Sequence, residues 1–471
     1  DLLEEGDPTR AETLLRTATG LLGLGRRVEA DPLLVQAIRA AREAGDAALE
    51  RRARLARATA SSGETGPERV ESIWEAAHEA EIACAGANDE TGLWAAWSAR
   101  ALVHRRWGHW GAAADDAERA AAHAERAGRA LEAVGSLLEV ALAVEDGPAP
   151  LAGSIERCRT ILGRAEGRRR LVREVAGVLA ILLARHGSFE EAGERLAEAR
   201  AAAEGTGPGP LARALHRTAR VEALAGRRER AEELLWEALD GAVRAGDVPL
   251  EGAIGATLAD LLVDLGRAAD ALPLLDEVRR TAAPDDLVTQ VRWRSARARA
   301  LARREAAGGA EGLGARPVVA ETDAGALARE AVRIAEQTDL IDLRAGALLA
   351  LAEVLAARGR PEEAAPFARR ALRALERRGA SVPAERARAV LASLGRPNGP
   401  GAPATPDDTT AEPAEPGGSP DPMESVPEPA EPPARSEPPT PQGLASPTSA
   451  APSDERQGHG GDGRWWSFGR S

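Results

Sequence analysis

Catalysis needs a nucleophile, a proton carrier or a metal ligand held at a suitable spacing, and this sequence offers little of that kind. The two cysteines, Cys84 and Cys158, form no CxxC pair and have no histidine at metal-ligand spacing. They are expected to be small buried hydrophobes of a reducing compartment. His78-Glu79 lacks the second histidine of an HExxH motif, and no nucleophile elbow is present. The acid pairs Glu190-Glu191 and Glu362-Glu363 open helices, where negative charge complements the helix dipole. The glycine-rich stretches from Gly205 and from Gly308 follow no strand, so they do not read as phosphate cradles. All 61 basic residues are arginine. The absence of lysine excludes a Walker A loop, a Schiff-base lysine and a serine–lysine dyad. We therefore expect no catalytic, cofactor or metal site in this chain, and read it as a non-enzyme.

Binding is better supported, and it depends on the elements that carry the side chains. Gly108, Gly147, Gly187, Gly226 and Gly266 recur every 39 or 40 residues, with Gly25 and Gly359 heading two further units. Seven residues before these glycines stand Ala18, Ala101, Val140, Ala180, Ala219, Ala259 and Ala352. Five residues after them stand Ala30, Ala113, Ala152, Ala192, Ala231, Ala271 and Ala364. A turn glycine flanked by small residues marks paired helices that cross closely, each pair burying its apolar face against its neighbours. The pattern resembles the tetratricopeptide repeat, lengthened by about five residues. The expected fold is all-α: a right-handed superhelical solenoid of helical hairpins over residues 1–395. Glu68 takes the post-turn alanine position in the irregular second unit, and Ala324 takes it after a flexible insertion near 305–322.

In such a solenoid the first helix of each hairpin faces the concave groove. Counting from the turns places Arg213, His216 and Arg220 there, then Arg292, Ser295 and Arg299, with Arg105 from an earlier unit. These residues are candidates for gripping the carboxylates of an extended peptide through charge-assisted hydrogen bonds. Trp94, Trp97, Trp107 and Trp110 stand at helical spacing and are expected to pack between repeats.

Residues 396–471 hold 17 of the 31 prolines and 12 acids against 5 arginines. That composition cannot bury enough apolar surface to offset ordering entropy, so a disordered tail is expected. It ends in an aromatic-basic segment whose Trp465, Trp466 and Phe468 form a candidate docking peptide. The formal charge of −13 argues against direct nucleic-acid binding. The longest apolar run, Val175 to Ala184, is half of the ~20 residues a membrane span needs, and a cytoplasmic location is expected. The chain starts at Asp1 and holds one methionine, Met423, so a longer polypeptide is expected.

Pro284 to Arg303, Leu327 to Asp339, Leu343 to Leu355 and Gly359 to Ala364 together resemble the C-terminal helical-repeat region of actinobacterial-type adenylate/guanylate cyclase proteins with an AAA-type ATPase module. The resemblance implies a regulatory or sensory arm whose partners are proteins or peptides, including the family's own N-terminal catalytic modules. None of that family's metal- or nucleotide-binding residues maps onto this chain. The alternative is the same arm on an ATP-binding transcriptional regulator.

Overall fold

The computed structural model describes residues 9–60, 67–165, 167–308 and 323–395. The expected tail, with Trp465, Trp466 and Phe468, lies outside the described residues. So does most of the expected insertion. Its first residues, 305–308, are helical, because the helix that enters it runs on to Gly308.

The described residues form a right-handed solenoid of helical hairpins. The hairpins pair α1 (Arg10–Gly23) with α2 (Arg27–Glu43), α3 (Ala47–Ala60) with α4 (Pro67–Ala87), and α5 (Glu90–Arg106) with α6 (Trp110–Arg126). Next come α7 (Ala130–Asp146) with α8 (Leu151–Gly163), α9 (Arg169–His186) with α10 (Phe189–Ala203), and α11 (Pro208–Leu224) with α12 (Arg228–Ala245). The series ends with α13 (Val248–Asp264) and α14 (Ala268–Thr281), α15 (Leu287–Gly308) and α16 (Ala324–Glu336), and α17 (Ile341–Ala357) and α18 (Pro361–Arg378). A single helix, α19 (Ser381–Leu394), follows.

Gly187 shows how a hairpin turns. Its φ of 103° is left-handed, its amide donates to Ala184 O at 3.1 Å, and the Ser188 amide donates to Leu183 O at 2.9 Å. This pair of bonds satisfies the last carbonyls of α9 and releases the chain into α10. The second helices then bury residues at intervals of four, three and four: Ala192, Leu196, Ala199 and Ala203 in α10, and Ala231, Leu235, Ala238 and Ala242 in α12. Ala324, Ala328, Ala331 and Ala335 occupy the same register in α16.

Two units depart from the expected register. In α8 the buried stripe starts at Leu151 and continues through Ile155 and Cys158, while Ala152 is exposed. Gly147 there has a φ of −63° and extended backbone rather than a left-handed turn, so the second helix begins after Pro150 and every position shifts by one. In α4 the stripe is Ile73, Ala77, Ala80 and Cys84, and Glu68 is exposed in the first turn. Both cysteines thus sit in inter-helix stripes, and burial pushes each thiol up to about 12.

The array also closes on itself. One hydrophobic core joins helices α6 to α10 with α15 to α19, whereas α1 to α4 are held by smaller clusters that extend into α5. Where the ring of hairpins meets, Asp339 accepts hydrogen bonds from the amides of Trp110 at 2.8 Å and Gly111 at 2.9 Å. The Asp339 amide donates back to Gly108 O at 2.9 Å. Arg106 adds an ion pair with Asp285 at 3.0 Å.

Candidate functional site: a charged knot on the inner face

The first helices converge on the inner face, and the end of α7 lies at their meeting point. Glu145 and Asp146 occupy its last turn, where the helix dipole disfavours acids. Cations from across the superhelix supply the compensation. Arg185 on α9 donates to Asp146 Oδ1 at 2.5 Å and to the Glu145 carbonyl at 2.5 Å. Arg378 at the end of α18 donates to the carbonyls of Glu145 at 2.7 Å and Asp146 at 2.9 Å. Asp342 in the first turn of α17 lies 2.8 Å from Arg185 and 3.0 Å from Arg378. Arg220 donates to Glu145 Oε1 at 2.5 Å, and Arg292 reaches Asp146 Oδ2 at 3.3 Å.

Four guanidinium groups therefore surround three carboxylates. Burial pushes the Asp146 carboxyl up, but Arg185, Arg292, Arg220 and Arg378 together hold it far below the usual carboxylate range. Glu145 is lowered in the same way, burial being outweighed by Arg220, Arg217 and Arg185 against the opposing charge of Asp146. The arginines are unequal. The Arg378 side chain is fully buried, and burial lowers its pKa despite Asp342. Arg292 keeps 27% of its side chain exposed and makes one long contact.

The residues expected to line the groove fall into separate environments. His216, Arg220 and Arg292 come together. His216 is buried, with Nε2 at 3.0 Å from Thr257 Oγ1, and burial followed by Arg220 and Arg292 pushes its pKa well below the usual value. It is neutral at pH 7. Ser295 is buried, and its hydroxyl meets no hydrogen-bond partner among the described residues. Arg299 belongs to a second buried cluster, donating to Asp260 at 2.5 Å and Glu353 at 2.6 Å and also pairing with Asp264. Arg213 pairs with Asp247 at a rim. Arg105 pairs with Glu139 at 2.6 Å beside a cavity of about 300 Å³ between α5 and α7, lined also by Trp94, Ser98 and Ser136. Two guanidinium groups lie over the Trp97 ring, Arg100 at 4.3 Å and Arg119 at 4.7 Å from its centroid.

Sequence reasoning identified Arg220 and Arg292 and missed Arg185, Arg378 and the acids that hold all four. Asp146, Asp342, Arg185 and Arg378 meet only because the superhelix brings distant hairpins together. The signal available in the sequence was Glu145-Asp146, two acids where a helix ends. No group of three or more metal-ligating side chains occurs among the described residues, and no helix among them is long and apolar enough to cross a membrane.

No family model matches the chain, and no curated protein matches it. Among solved structures it is similar to a Rap protein complexed with Competence and Sporulation Factor, at 15% identity over 79% of this chain and 99% of that one, with a TM-score of 0.55. It is also similar to the Rap conjugation gene regulator of plasmid pLS20 in complex with the Phr* peptide, at 13% identity over 78% and 95% of the chains, TM-score 0.48. A signal-transduction ATPase with a tetratricopeptide repeat sensor from Pyrococcus horikoshii matches at 16% identity over 78% of this chain and 53% of that one, TM-score 0.40. The first of these likenesses is one of fold, and the chain is a tetratricopeptide-like helical solenoid.

Proposed function

We propose that this chain is a non-catalytic protein-interaction solenoid whose inner face takes an extended, acid-bearing peptide at Arg220 and Arg292. The carrying observation is the surplus guanidinium in the inner knot, with Arg292 the most exposed of the four. A ligand carboxylate approaching Arg292 gains a charge-assisted hydrogen bond without displacing a well-formed one. Arg105, Arg213, His216, Ser295 and Arg299 have structural partners or are buried, and their part is to shape the face around that contact. The Rap protein of similar fold was captured in complex with Competence and Sporulation Factor, which agrees with a binding role.

The finer reading makes the chain the regulatory arm of a cytoplasmic nucleotide cyclase–ATPase polypeptide, and it rests on the sequence resemblance of residues 284–364. A DNA-binding module in the upstream coding sequence would instead favour the transcriptional-regulator alternative. For the interaction role, a random peptide library should be selected on the intact chain and counter-selected on Arg292→Gln. Enriched peptides should share an acidic position and lose about tenfold or more in affinity on the variant, the worth of one charged hydrogen bond. Peptides that bind both proteins equally would remove the inner face from the proposal.

A further inference from the structure

Arg292 and Arg299 point to one side of α15; Arg294 and Arg297 lie on its other side, by helical periodicity. There, between α14 and α16, a cavity of about 730 Å³ opens with α15 as its floor. Its size falls within the range of small-molecule sites. Apolar walls come from Leu287, Leu327 and Ile334, and four arginines and one glutamate supply the charge.

Arg294 is the unusual member. Arg297 pairs with Asp276, and Arg333 holds Glu330 through two bonds of 2.6 and 2.9 Å. Among the described residues Arg294 has no carboxylate within ion-pair distance. Its Nη1 donates to the Gln290 carbonyl at 2.9 Å and to Gln290 Oε1, and its guanidinium lies 4.3 Å from the Trp293 ring centroid. Trp293 is itself fixed, its indole N–H donating to Gln290 Oε1 at 3.1 Å. The cation is therefore half-buried and held in place by neutral groups, while among the described residues Nε and Nη2 make no hydrogen bond. Burial disfavours its charge, and the neighbouring Arg333 and Arg279 add to this against the opposing pull of Glu330, a cost that an incoming anion would relieve.

We propose that this outer cavity is a binding site for a small organic phosphate, with the phosphoryl group on Arg294 and the apolar part of the ligand against Leu327 and Ile334. A tetrahedral phosphate can take the open Arg294 donors and reach a second arginine at the same time, whereas the two oxygens of a carboxylate lie in one plane. The site is independent of the inner face, being on the opposite side of α15.

Calorimetric titration of the full chain with AMP, glucose 6-phosphate and hexyl phosphate tests this, with inorganic phosphate, adenosine and citrate as comparison arms. At least one organic phosphate should bind tenfold or more tightly than inorganic phosphate and citrate, and adenosine should not bind. Arg294→Gln should abolish that preference. Leu327→Trp, which fills the cavity and leaves Arg294 charged, should weaken the organic phosphate while sparing inorganic phosphate. Unchanged melting curves for both variants keep the comparison meaningful, and a variant that melts early is replaced by Arg294→Met or Leu327→Phe. Organic phosphates that bind no better than inorganic phosphate or citrate, or binding indifferent to both substitutions, would overturn the assignment.

Discussion

Asp339 caps the helix that Trp110 begins, although the two residues stand 229 positions apart in the chain. Helix α6 has no cap of its own, because His109 at that position contributes no side-chain hydrogen bond. Its first amides are satisfied by a side chain from the other end of the closed array. A local requirement of every helix is met here by a long-range contact.

Asp339→Ala should consequently cost about 1–2 kcal/mol in denaturant unfolding, the usual price of a lost cap. Amide exchange should accelerate at the start of α6 and also around residues 337–341. Acceleration confined to either partner alone would contradict a shared contact.

Gly108 and Gly226 share a φ of 81°, which isolates a second effect at the closure. A Cβ on Gly108 would stand 2.8 Å from the Gln337 carbonyl oxygen, while one on Gly226 would meet nothing within 4 Å. Alanine at either position incurs the backbone penalty of about 1–2 kcal/mol. Gly108→Ala should exceed Gly226→Ala by at least a further ~1 kcal/mol, because the obstacle is backbone and one of the two hairpins must shift.

Removing one side of a buried pair leaves the other charge uncompensated. Arg378→Met should destabilise the fold by about 3–5 kcal/mol. Adding Asp342→Leu should recover part of that loss in a double-mutant cycle. Arg292→Gln, at a partly exposed position with one long contact, should cost less than about 1 kcal/mol.

The same knot sets an acid limit on stability. The folded pKa of Asp146 lies below the unfolded value of about 3.9, so its contribution is complete above that value and disappears as pH falls through the folded one. Glu145, Glu174 and Asp264 are shifted in the same direction. Unfolding free energy should therefore fall steeply below about pH 4. Asp146→Asn should give a lower plateau at pH 7 and a shallower decline.

Cys84 and Cys158 are buried, with thiols raised to about 12. Neither should react with a thiol reagent at pH 8 in the native protein, and both should react after denaturation. Rapid native labelling at either position would refute the packing described for α4 and α8.

The repeat was readable because it is written locally: one turn glycine and two small residues recur at a fixed spacing, as at Ala180, Gly187 and Ala192. The register failed at Ala152 and Glu68, where a proline-containing linker or a longer approach moves the helix start that the count assumed. The inner face was half readable. Helical periodicity placed His216, Arg220 and Arg292 together, but their acids follow from the pitch of the superhelix, which no short window of sequence encodes. Arg294, four residues after Gln290, carries no signal in the sequence, because its cavity exists only where α14 and α16 flank α15.

A linear solenoid tolerates insertion or loss of whole repeats, since each unit answers only to its neighbours. The Gly108–Asp339 junction removes that freedom between α6 and α16. One hairpin more or fewer in this interval would carry Asp339 past Trp110 and leave both the α6 amides and the α7 carboxylates facing water. The repeat number of this segment is thus a fixed dimension of the molecule, as in a closed barrel, and variation in length belongs to the hairpins outside the junction.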